Sequence, residues 1–385
     1  MKKILTRENL YYFLFLFVFI LIALEIFGRV YLSKVLQKSS EQKFRFNSYR
    51  IYEHVPGFHE GDGKKDWIII NRQGFRRAAD VTKKKQQNTF RVFLMGGSAA
   101  HGISSAAPYP LVHIDEDQTI DAYLERKLKQ LHPDHNIEII NAAVTGYQVF
   151  QHTTYILSEL LDYHPDMVIF FDGANDHYFN NPDFDYWGEN RYQFWKSRLR
   201  APSIGGWFDY FFLWLSRFSG FARGYYAWRL NNDATRHDIR PIINYSDPDS
   251  AIAAHKIIAR KSFLRAIETN INILKTNNIQ PVICLQPMLV LRLSSMYSIQ
   301  EKSFNETGKN YQILYPTVVQ ELTDLTGRYQ VPFINMVIPF NDPAFKGKQL
   351  FIDYCHLTPL GGEVVADNLL QAVDSVWVKS FSGGQ

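Results

Sequence analysis

Short apolar strands alternate with helices along most of this chain, and this alternation restricts the fold more than any other feature of the sequence. Unbroken apolar strands separated by helices are typical of a parallel sheet that is covered on both faces. The sequence therefore predicts a three-layer α/β/α domain around a central sheet of about five parallel strands. The predicted strands are 90–95, 137–140, 167–171, 281–285 and 332–336, and the predicted helices are 120–131, 153–161, 251–275, 311–326 and a last one starting at Thr358-Pro359.

The N-terminal region contains a long apolar and aromatic run over residues 11–32, interrupted by Glu25. At a rise of about 1.5 Å per residue such a helix is long enough to cross a hydrocarbon core of about 30 Å. We therefore expect a single-span membrane anchor. Two alternatives stay open: a buried helix, and a cleaved signal sequence whose basic region would be Lys2, Lys3 and Arg7, although no A-x-A-like cleavage site follows the run.

Charge and cysteine content exclude some classes of function. The chain has 42 basic and 38 acidic side chains, and the first 50 residues carry nine of the basic and three of the acidic ones. The remaining 335 residues therefore have 33 basic against 35 acidic side chains, which argues against a nucleic-acid partner. Cys284 and Cys355 are too few for a disulfide framework or a zinc site, but a single bridge between them stays open.

An aromatic-rich segment breaks the alternation of strands and helices. Nineteen aromatic residues, five of the seven tryptophans among them, lie between Tyr178 and Trp228. Asp209, Arg217 and further charges make the segment too polar for a second membrane span. We expect an inserted, mostly helical cap. Its role stays open between a packed subdomain, a substrate-binding wall and a face resting on the membrane.

Four polar motifs follow strands or precede a helix, where α/β sheets bind ligands. Ser98 follows Gly96-Gly97 at the end of the first predicted strand, and a serine at a strand-to-helix turn lies beside backbone N–H groups that stabilise an oxyanion. The other three are Gly146 in Asn141–Tyr147, Asn175 in Asp172–Asp176, and the pair Asp353 and His356 ahead of the last helix. An Asp three residues before a His suits a base and the carboxylate that orients it.

Taken in this order, the motifs resemble those of the SGNH (GDSL-type) hydrolase superfamily, over roughly residues 90–180 and 250–380. The chain is most similar to membrane-anchored bacterial members, in which an Asn-x-x-Gly-Phe-Arg segment such as Asn71–Arg76 precedes the nucleophile strand. It departs from the family pattern at Gly97, where the family name implies Asp, and the aromatic insertion has no counterpart in a minimal member.

The resemblance implies a flavodoxin-like hydrolase fold and a catalytic triad of Ser98 as nucleophile, His356 as base and Asp353 as its orienting carboxylate. It also implies an oxyanion hole formed by the backbone N–H groups of Ser98 and Gly146 and the side-chain amide of Asn175. It implies no cofactor and no metal. The expected organisation is a flank at 1–10, an anchor at 11–32, a stem at 33–88 and an extracytoplasmic hydrolase domain at 89–382 that contains the insertion 177–249.

Several alternatives remain on sequence grounds. Cys355 is a second candidate nucleophile, Asp172 and Asp176 are alternative carboxylates, and His101 is expected to face solvent. The predicted activity is removal of acyl groups, acetyl above all, from an envelope glycan or lipid. Transfer of the acyl group to a polysaccharide through the same serine, and a non-catalytic protein that binds glycan or lipid, are the competing functions.

Overall fold

The computed structural model of the chain falls into two compact units, each considered by itself. One comprises Met1–Lys43 and Trp187–Pro241, and the other comprises Phe44–Tyr186 and Ile242–Gln385. The structure describes residues 7–35, 43–47, 49–103, 112–178, 211–212, 214–215, 218–222, 224–225, 247–258, 263–304 and 309–382.

The first unit contains helix α1, Arg7–Val35. Its segment Arg7–Val30 has a mean hydropathy of 2.6, with none of its most apolar window buried, so it is long and apolar enough to cross a membrane. A signal sequence passes the same test of length and composition. Of the predicted insertion, most residues lie outside the described ranges, and residues 211–212, 214–215, 220–222 and 224–225 are helical.

The second unit begins with two antiparallel hairpins and continues into the central sheet. The hairpins are β1 (Phe44–Asn47) with β2 (Ile51–His54), and β3 (His59–Gly61) with β4 (Asp66–Ile69). The sheet comprises β5 (Thr89–Gly96), β6 (Asn136–Asn141), β7 (Met167–Asp172), β8 (Gln280–Leu285) and β9 (Phe333–Asn335). Every adjacent pair is parallel and the spatial order is β6-β5-β7-β8-β9. The predicted five-stranded parallel sheet is confirmed.

This order determines where a ligand meets the sheet. Numbered along the chain, the five strands lie in the order 2-1-3-4-5, which is the flavodoxin-like arrangement. The direction of winding reverses between β5 and β7, and ligands of such sheets bind beyond the carboxyl ends of the strands at that reversal. Ser98 follows β5 and Asn175 follows β7. Both motifs therefore start from the edge where a crevice is expected.

Helices cover both faces of the sheet because successive side chains of each strand point to opposite sides. The helices of this unit are α2 (Ser98–His101), α3 (Ile120–Leu131), α4 (Val149–Ser158), α5 (Ala174–Tyr178), α6 (Pro248–Ile258), α7 (Leu264–Thr276), α8 (Lys309–Tyr329), α9 (Val337–Phe340) and α10 (Pro359–Ser382). Phe93 and Met95 of β5 pack in one core with residues of α4, α7 and α8, whereas Val92 and Leu94 pack in a second core with residues of α3 and α10. The predicted three-layer architecture is confirmed.

Two predicted helices have other bounds in the structure. The helix expected over 251–275 is described as α6 and α7, and residues 259–262 lie outside the described residues. The helix expected over 153–161 is α4, which begins at Val149 and ends at Ser158, and a 3₁₀ turn at Leu160–Tyr163 follows it. Apolar periodicity alone does not distinguish the end of α4 from the 3₁₀ turn that follows it.

A buried ion pair supports the segment that leads to Asp353. Arg292 and Glu301 are hydrogen-bonded to each other and both side chains are fully buried. Glu301 Oε1 accepts hydrogen bonds from the backbone N–H groups of Leu350 (2.9 Å) and Phe351 (3.1 Å). The pair therefore fixes the backbone two residues before the predicted catalytic carboxylate.

We predict that Glu301→Ala lowers the free energy of unfolding by about 3–5 kcal/mol, because it leaves the Arg292 guanidinium buried without its counter-charge. The measurement is denaturant unfolding of the purified protein. The matched control is Asp162→Ala, which removes a pair with Lys83 whose side chains are 59% and 61% exposed, and we expect it to cost less than about 1 kcal/mol. Equal losses in the two variants would contradict the prediction.

Candidate active site

Ser98 lies at the first position of α2, immediately beyond the buried strand β5. The turn between them needs two glycines because neighbouring groups approach it closely. A Cβ atom on Gly96 would lie 2.5 Å from the carbonyl oxygen of Phe171 and 2.6 Å from the Ala100 Cβ. Close packing of the first turn of the helix against β7 therefore holds the serine at the carboxyl edge of the sheet.

His356 and Asp353 come from the loop that precedes α10, about 250 residues further along the chain. The Nε2 atom of His356 lies 2.7 Å from Ser98 Oγ, and its Nδ1 atom lies 2.5 Å from Asp353 Oδ2. The second oxygen of Asp353 accepts hydrogen bonds from the backbone N–H groups of Cys355 (2.9 Å) and His356 (2.8 Å). One carboxylate thus shapes the turn and orients the imidazole, so the three predicted triad residues form one hydrogen-bonded chain.

The electrostatics of this chain suit proton transfer from the serine. Burial raises the pKa of Asp353, but the hydrogen bonds from His356 and the two backbone N–H groups lower it more, so the net pKa lies below its usual value. Burial lowers the pKa of His356, but the neighbouring Cys355 sulfur and the Asp353 carboxylate raise it more, so the net pKa lies above its usual value. These surroundings would stabilise the imidazolium that a proton transfer from Ser98 to His356 produces.

Asn175 holds its amide over the nucleophile turn. Its Nδ2 atom donates to the Tyr147 carbonyl at 2.8 Å, which leaves its second N–H for another acceptor. Its own backbone carbonyl accepts from Gln148 Nε2 at 3.0 Å. A Cβ atom on Gly97 would lie 2.3 Å from Asn175 Nδ2. The absence of a side chain at Gly97 therefore leaves room for this amide beside Ser98.

Gly146 lies on a loop that is attached to the nucleophile strand. The backbone N–H groups of Ala142 and Val144 donate to the carbonyls of Leu94 (2.9 Å) and Gly96 (3.1 Å), so the loop continues alongside β5 beyond the end of β6. Gly146 itself has a φ of +80°, a conformation that favours glycine. The loop ends at Tyr147, whose carbonyl receives the Asn175 amide.

Asp172 and Asp176 lie behind Asn175 and are both buried. Asp172 Oδ1 lies 3.0 Å from His152 Nε2, and Asp176 Oδ1 accepts from the Val149 N–H at 3.2 Å. Burial and the neighbouring Asp172 charge raise the pKa of Asp176 well above its usual value. The carboxylate that contacts the imidazole of His356 is that of Asp353, so these two aspartates are better placed to hold the Asn175 loop.

Cys355 is adjacent to the triad but is not aligned with the serine. Its Sγ atom is 3.8 Å from His356 Nδ1, the nitrogen that Asp353 holds, whereas Ser98 meets Nε2. Both cysteines are free and buried, so the bridge left open by the sequence is absent. Asp353, Cys355 and His356 bring potential metal ligands within 4.8 Å of one another, but the imidazole and the carboxylate already bind each other.

Sequence reasoning missed a set of buried polar groups that contact the end of α2, the helix of Ser98. Arg76 Nε donates to the His101 carbonyl at 2.9 Å, and Asn141 Nδ2 donates to the carbonyl of Ala100 (2.9 Å) and to Asp121 Oδ1 (2.7 Å). These contacts satisfy carbonyls at the end of α2 that have no partner inside the helix. The signal in the sequence was the Asn71–Arg76 motif. On sequence grounds this motif contributed only to the family resemblance and had no assigned structural role.

His101 corrects another expectation. It was expected to face solvent, but its side chain is 1% exposed and its ring lies 4.6 Å from that of His54. His54 lies on β2 of the first hairpin. Its ring contact with His101 joins residues 47 positions apart in the chain, and the local sequence does not indicate it.

Comparison with solved structures finds proteins with a similar arrangement of elements. They include an acetyl xylan esterase (16% identity, 74% of this chain and 100% of that chain, TM-score 0.41), the lipase/acylhydrolase from Enterococcus faecalis (13%, 74% and 96%, 0.40) and an acetyl xylan esterase from Geobacillus stearothermophilus (12%, 76% and 97%, 0.41). At this level of similarity they assign no chemistry to this chain. No protein-family model and no curated protein matches it.

We predict that Gly97→Ala lowers kcat by about 10²–10³-fold, the usual cost of losing one oxyanion donor, because the new methyl group displaces the Asn175 amide. The φ of −89° at this position accepts any residue, so the fold should persist. The measurement is hydrolysis of a p-nitrophenyl ester, and Asn175→Ala is the reference variant. Unchanged kcat in Gly97→Ala, with Asn175→Ala impaired, would contradict the prediction.

The direction of the His356 pKa shift predicts the pH profile. Only the neutral imidazole accepts the serine proton, and its fraction rises as pH increases through the pKa. Because this pKa is raised, we expect kcat/KM to rise with pH along a limb whose midpoint lies above the usual value of about 6.5. Initial rates across pH give the midpoint, and a midpoint at or below 6.5 would contradict the prediction.

The Cys355→Ala variant should still hydrolyse the p-nitrophenyl ester, since Ser98 is the group aligned with His356 Nε2.

Proposed function

We propose that this protein is a membrane-anchored serine ester hydrolase of the SGNH type. The observation that carries the proposal is the hydrogen-bonded chain from Ser98 Oγ through His356 to Asp353, at 2.7 and 2.5 Å. Ser98 is partly accessible and the other two side chains are mostly buried, at 12% and 7% exposed. A reactive hydroxyl open to substrate, supported by a shielded base, is the arrangement that acyl transfer requires.

The reaction follows from these positions. Ser98 Oγ attacks the carbonyl carbon of the ester while its proton passes to His356 Nε2. The backbone N–H groups of Ser98 and Gly146 and the Asn175 amide stabilise the negative oxygen of the tetrahedral intermediate. The intermediate collapses, the alcohol leaves with the proton from Nε2, and the acyl group stays on the serine. Water then attacks the acyl-serine with the same base, releasing the acid and restoring Ser98.

Membrane anchoring is supported by α1. Its apolar segment Arg7–Val30 is long enough to span, and its side chains are exposed along the helix instead of being packed in a core. We propose that the catalytic unit lies on the extracytoplasmic side. Long domains translocate largely regardless of their charge, so the basic residues that follow the helix do not oppose this orientation.

The substrate that we propose is an acylated glycan or lipid of the cell envelope, with acetyl as the acyl group. An anchored enzyme acts on material close to its membrane, and envelope polymers and lipids offer ester-linked acyl groups there. The resemblance to membrane-anchored bacterial SGNH hydrolases supports the same class.

The decisive experiment is covalent labelling of the detergent-solubilised full chain with a fluorescent fluorophosphonate, which reacts with activated serines. We expect Ser98→Ala to lose labelling completely and His356→Ala to lose nearly all of it, because the unassisted hydroxyl is a weak nucleophile. The control is Ser303→Ala, which changes an exposed serine that bonds only to a nearby carbonyl. Labelling retained in Ser98→Ala, or absent from folded wild-type protein, would contradict the proposal.

A second assay identifies the acyl group and the acceptor. Rates on p-nitrophenyl esters from acetate to octanoate give the chain-length preference, which we expect to favour acetate. Adding a glycan acceptor and analysing the products separates hydrolysis from transfer, since both pass through the same acyl-serine. Transfer that outcompetes water would replace the hydrolase by an acyltransferase.

A further inference from the structure

In the first unit, the membrane-anchor helix carries an acidic side chain that binds the aromatic insertion. Glu25 accepts hydrogen bonds from Ser219 Oγ (2.6 Å) and from the backbone N–H groups of Gly220 (2.7 Å) and Phe221 (3.2 Å). Arg29, one turn further along α1, pairs with the same carboxylate at 2.8 Å. An ionised group in an apolar span is costly unless it is paired, so this carboxylate has its partners within the protein.

The backbones also approach each other at this point. A Cβ atom on Gly28 would lie 2.5–2.7 Å from backbone atoms of Phe221 and Gly220, and one on Gly220 would lie 2.5 Å from the Arg29 Cγ. Small residues at a close crossing, with a polar side chain making hydrogen bonds across it, are the usual means by which helices associate in membranes. The contact between α1 and the insertion therefore resembles a membrane contact.

The position of the contact gives its depth. The segment Arg7–Val30 has 24 residues, or about 36 Å of helix, so it extends about 3 Å beyond each side of a hydrocarbon core of about 30 Å. Glu25 lies five residues, or about 8 Å, before Val30, which places it about 5 Å inside the edge of that core. The insertion therefore meets α1 just inside the boundary between hydrocarbon and headgroups, at the end of the span from which the rest of the chain continues.

The same part of the insertion exposes a cluster of aromatic rings. Phe211, Trp214 and Phe218 are 52%, 56% and 68% exposed. Their rings contact one another, with centroids 6.4 Å apart for Phe211 and Trp214 and 5.6 Å apart for Trp214 and Phe218. The partly buried Phe212 instead packs on Tyr225, with centroids 4.4 Å apart. Phenylalanine and tryptophan are favoured on the apolar face of helices that lie in the bilayer interface.

We propose that the described residues between Phe211 and Tyr225 belong to a second membrane element, held to α1 by Glu25 and Gly28, with Phe211, Trp214 and Phe218 inserted into the bilayer interface. The occupant of the aromatic face is lipid, because the face belongs to a segment attached to α1 at interface depth. This proposal rests on the membrane anchoring proposed above and is independent of the ester chemistry.

The test measures the depth of three labels on the full chain in phosphatidylcholine vesicles. In three separate variants a cysteine replaces Phe218, Phe19 or Ile299 and is labelled with the environment-sensitive fluorophore NBD. The native Cys284 and Cys355 are buried, so we expect the label to react with the introduced cysteine. Lipids brominated at carbons 6 and 7 or at carbons 11 and 12 quench shallow and deep labels. Phe19 lies near the middle of the span and reports the anchor, whereas Ile299, 85% exposed in the other unit, reports water.

We expect the label at 218 to shift its emission to the blue and to be quenched more strongly by the shallow bromines, and the label at 19 to be quenched more strongly by the deep ones. The label at 299 should be unaffected. Quenching at 19 without quenching at 218 overturns this inference and leaves the anchor intact. A blue-shifted but unquenched label at 218 also overturns it, because protein and not lipid then covers the face. No quenching at 19 overturns the anchor itself.

The role of Glu25 is tested in the same system. Glu25→Ala should abolish the quenching at 218 and leave that at 19 unchanged, because the insertion loses three hydrogen bonds to the anchor. Glu8→Ala, at the exposed start of α1, is the matched control and should change neither label. Full quenching at 218 in Glu25→Ala would overturn the proposal that Glu25 holds the insertion to α1.

Discussion

Close contact between the backbone at the end of β5 and its neighbours is the constraint on which the candidate site depends. Gly96 has no room for a side chain against Phe171 of β7, and Gly97 has none against the Asn175 amide. These two contacts fix the direction in which Ser98 leaves the sheet and the place where a developing oxyanion would meet donors. The winding reversal lies between β5 and β7, and ligands of such sheets bind beyond the carboxyl ends of the strands at that position.

The surroundings of the triad contain several buried charged and polar groups. Three hydrogen bonds favour the charged form of Asp353, whereas burial and the Asp172 charge raise the pKa of Asp176. Arg292 and Glu301 neutralise each other under the loop that carries Asp353. In low-dielectric surroundings, changing the charge or the partner of any of these groups costs free energy of folding. Substitutions of such groups are expected to affect the position of the triad before they affect its chemistry.

The two units differ in what they contain. The first contains an apolar helix with an internal carboxylate whose partners come from the aromatic insertion. The second contains the sheet, both cores and the three residues proposed as a triad. Under the proposals made above, the membrane-associated residues lie in two distant segments of sequence, and the aromatic-rich insertion is one of them.

The sequence by itself determined the five parallel strands, their covering helices and the four motifs, because apolar periodicity and turn residues are local properties. It did not indicate that Arg76, Asn141 and Asp121 support the nucleophile helix, or that His101 is buried against His54. Those contacts join distant parts of the chain and depend on which buried carbonyls lack partners. Only the tertiary structure brings His356 to Ser98 across 258 residues. It also shows why position 97 is a glycine, because the Asn175 amide leaves no room there for a side chain.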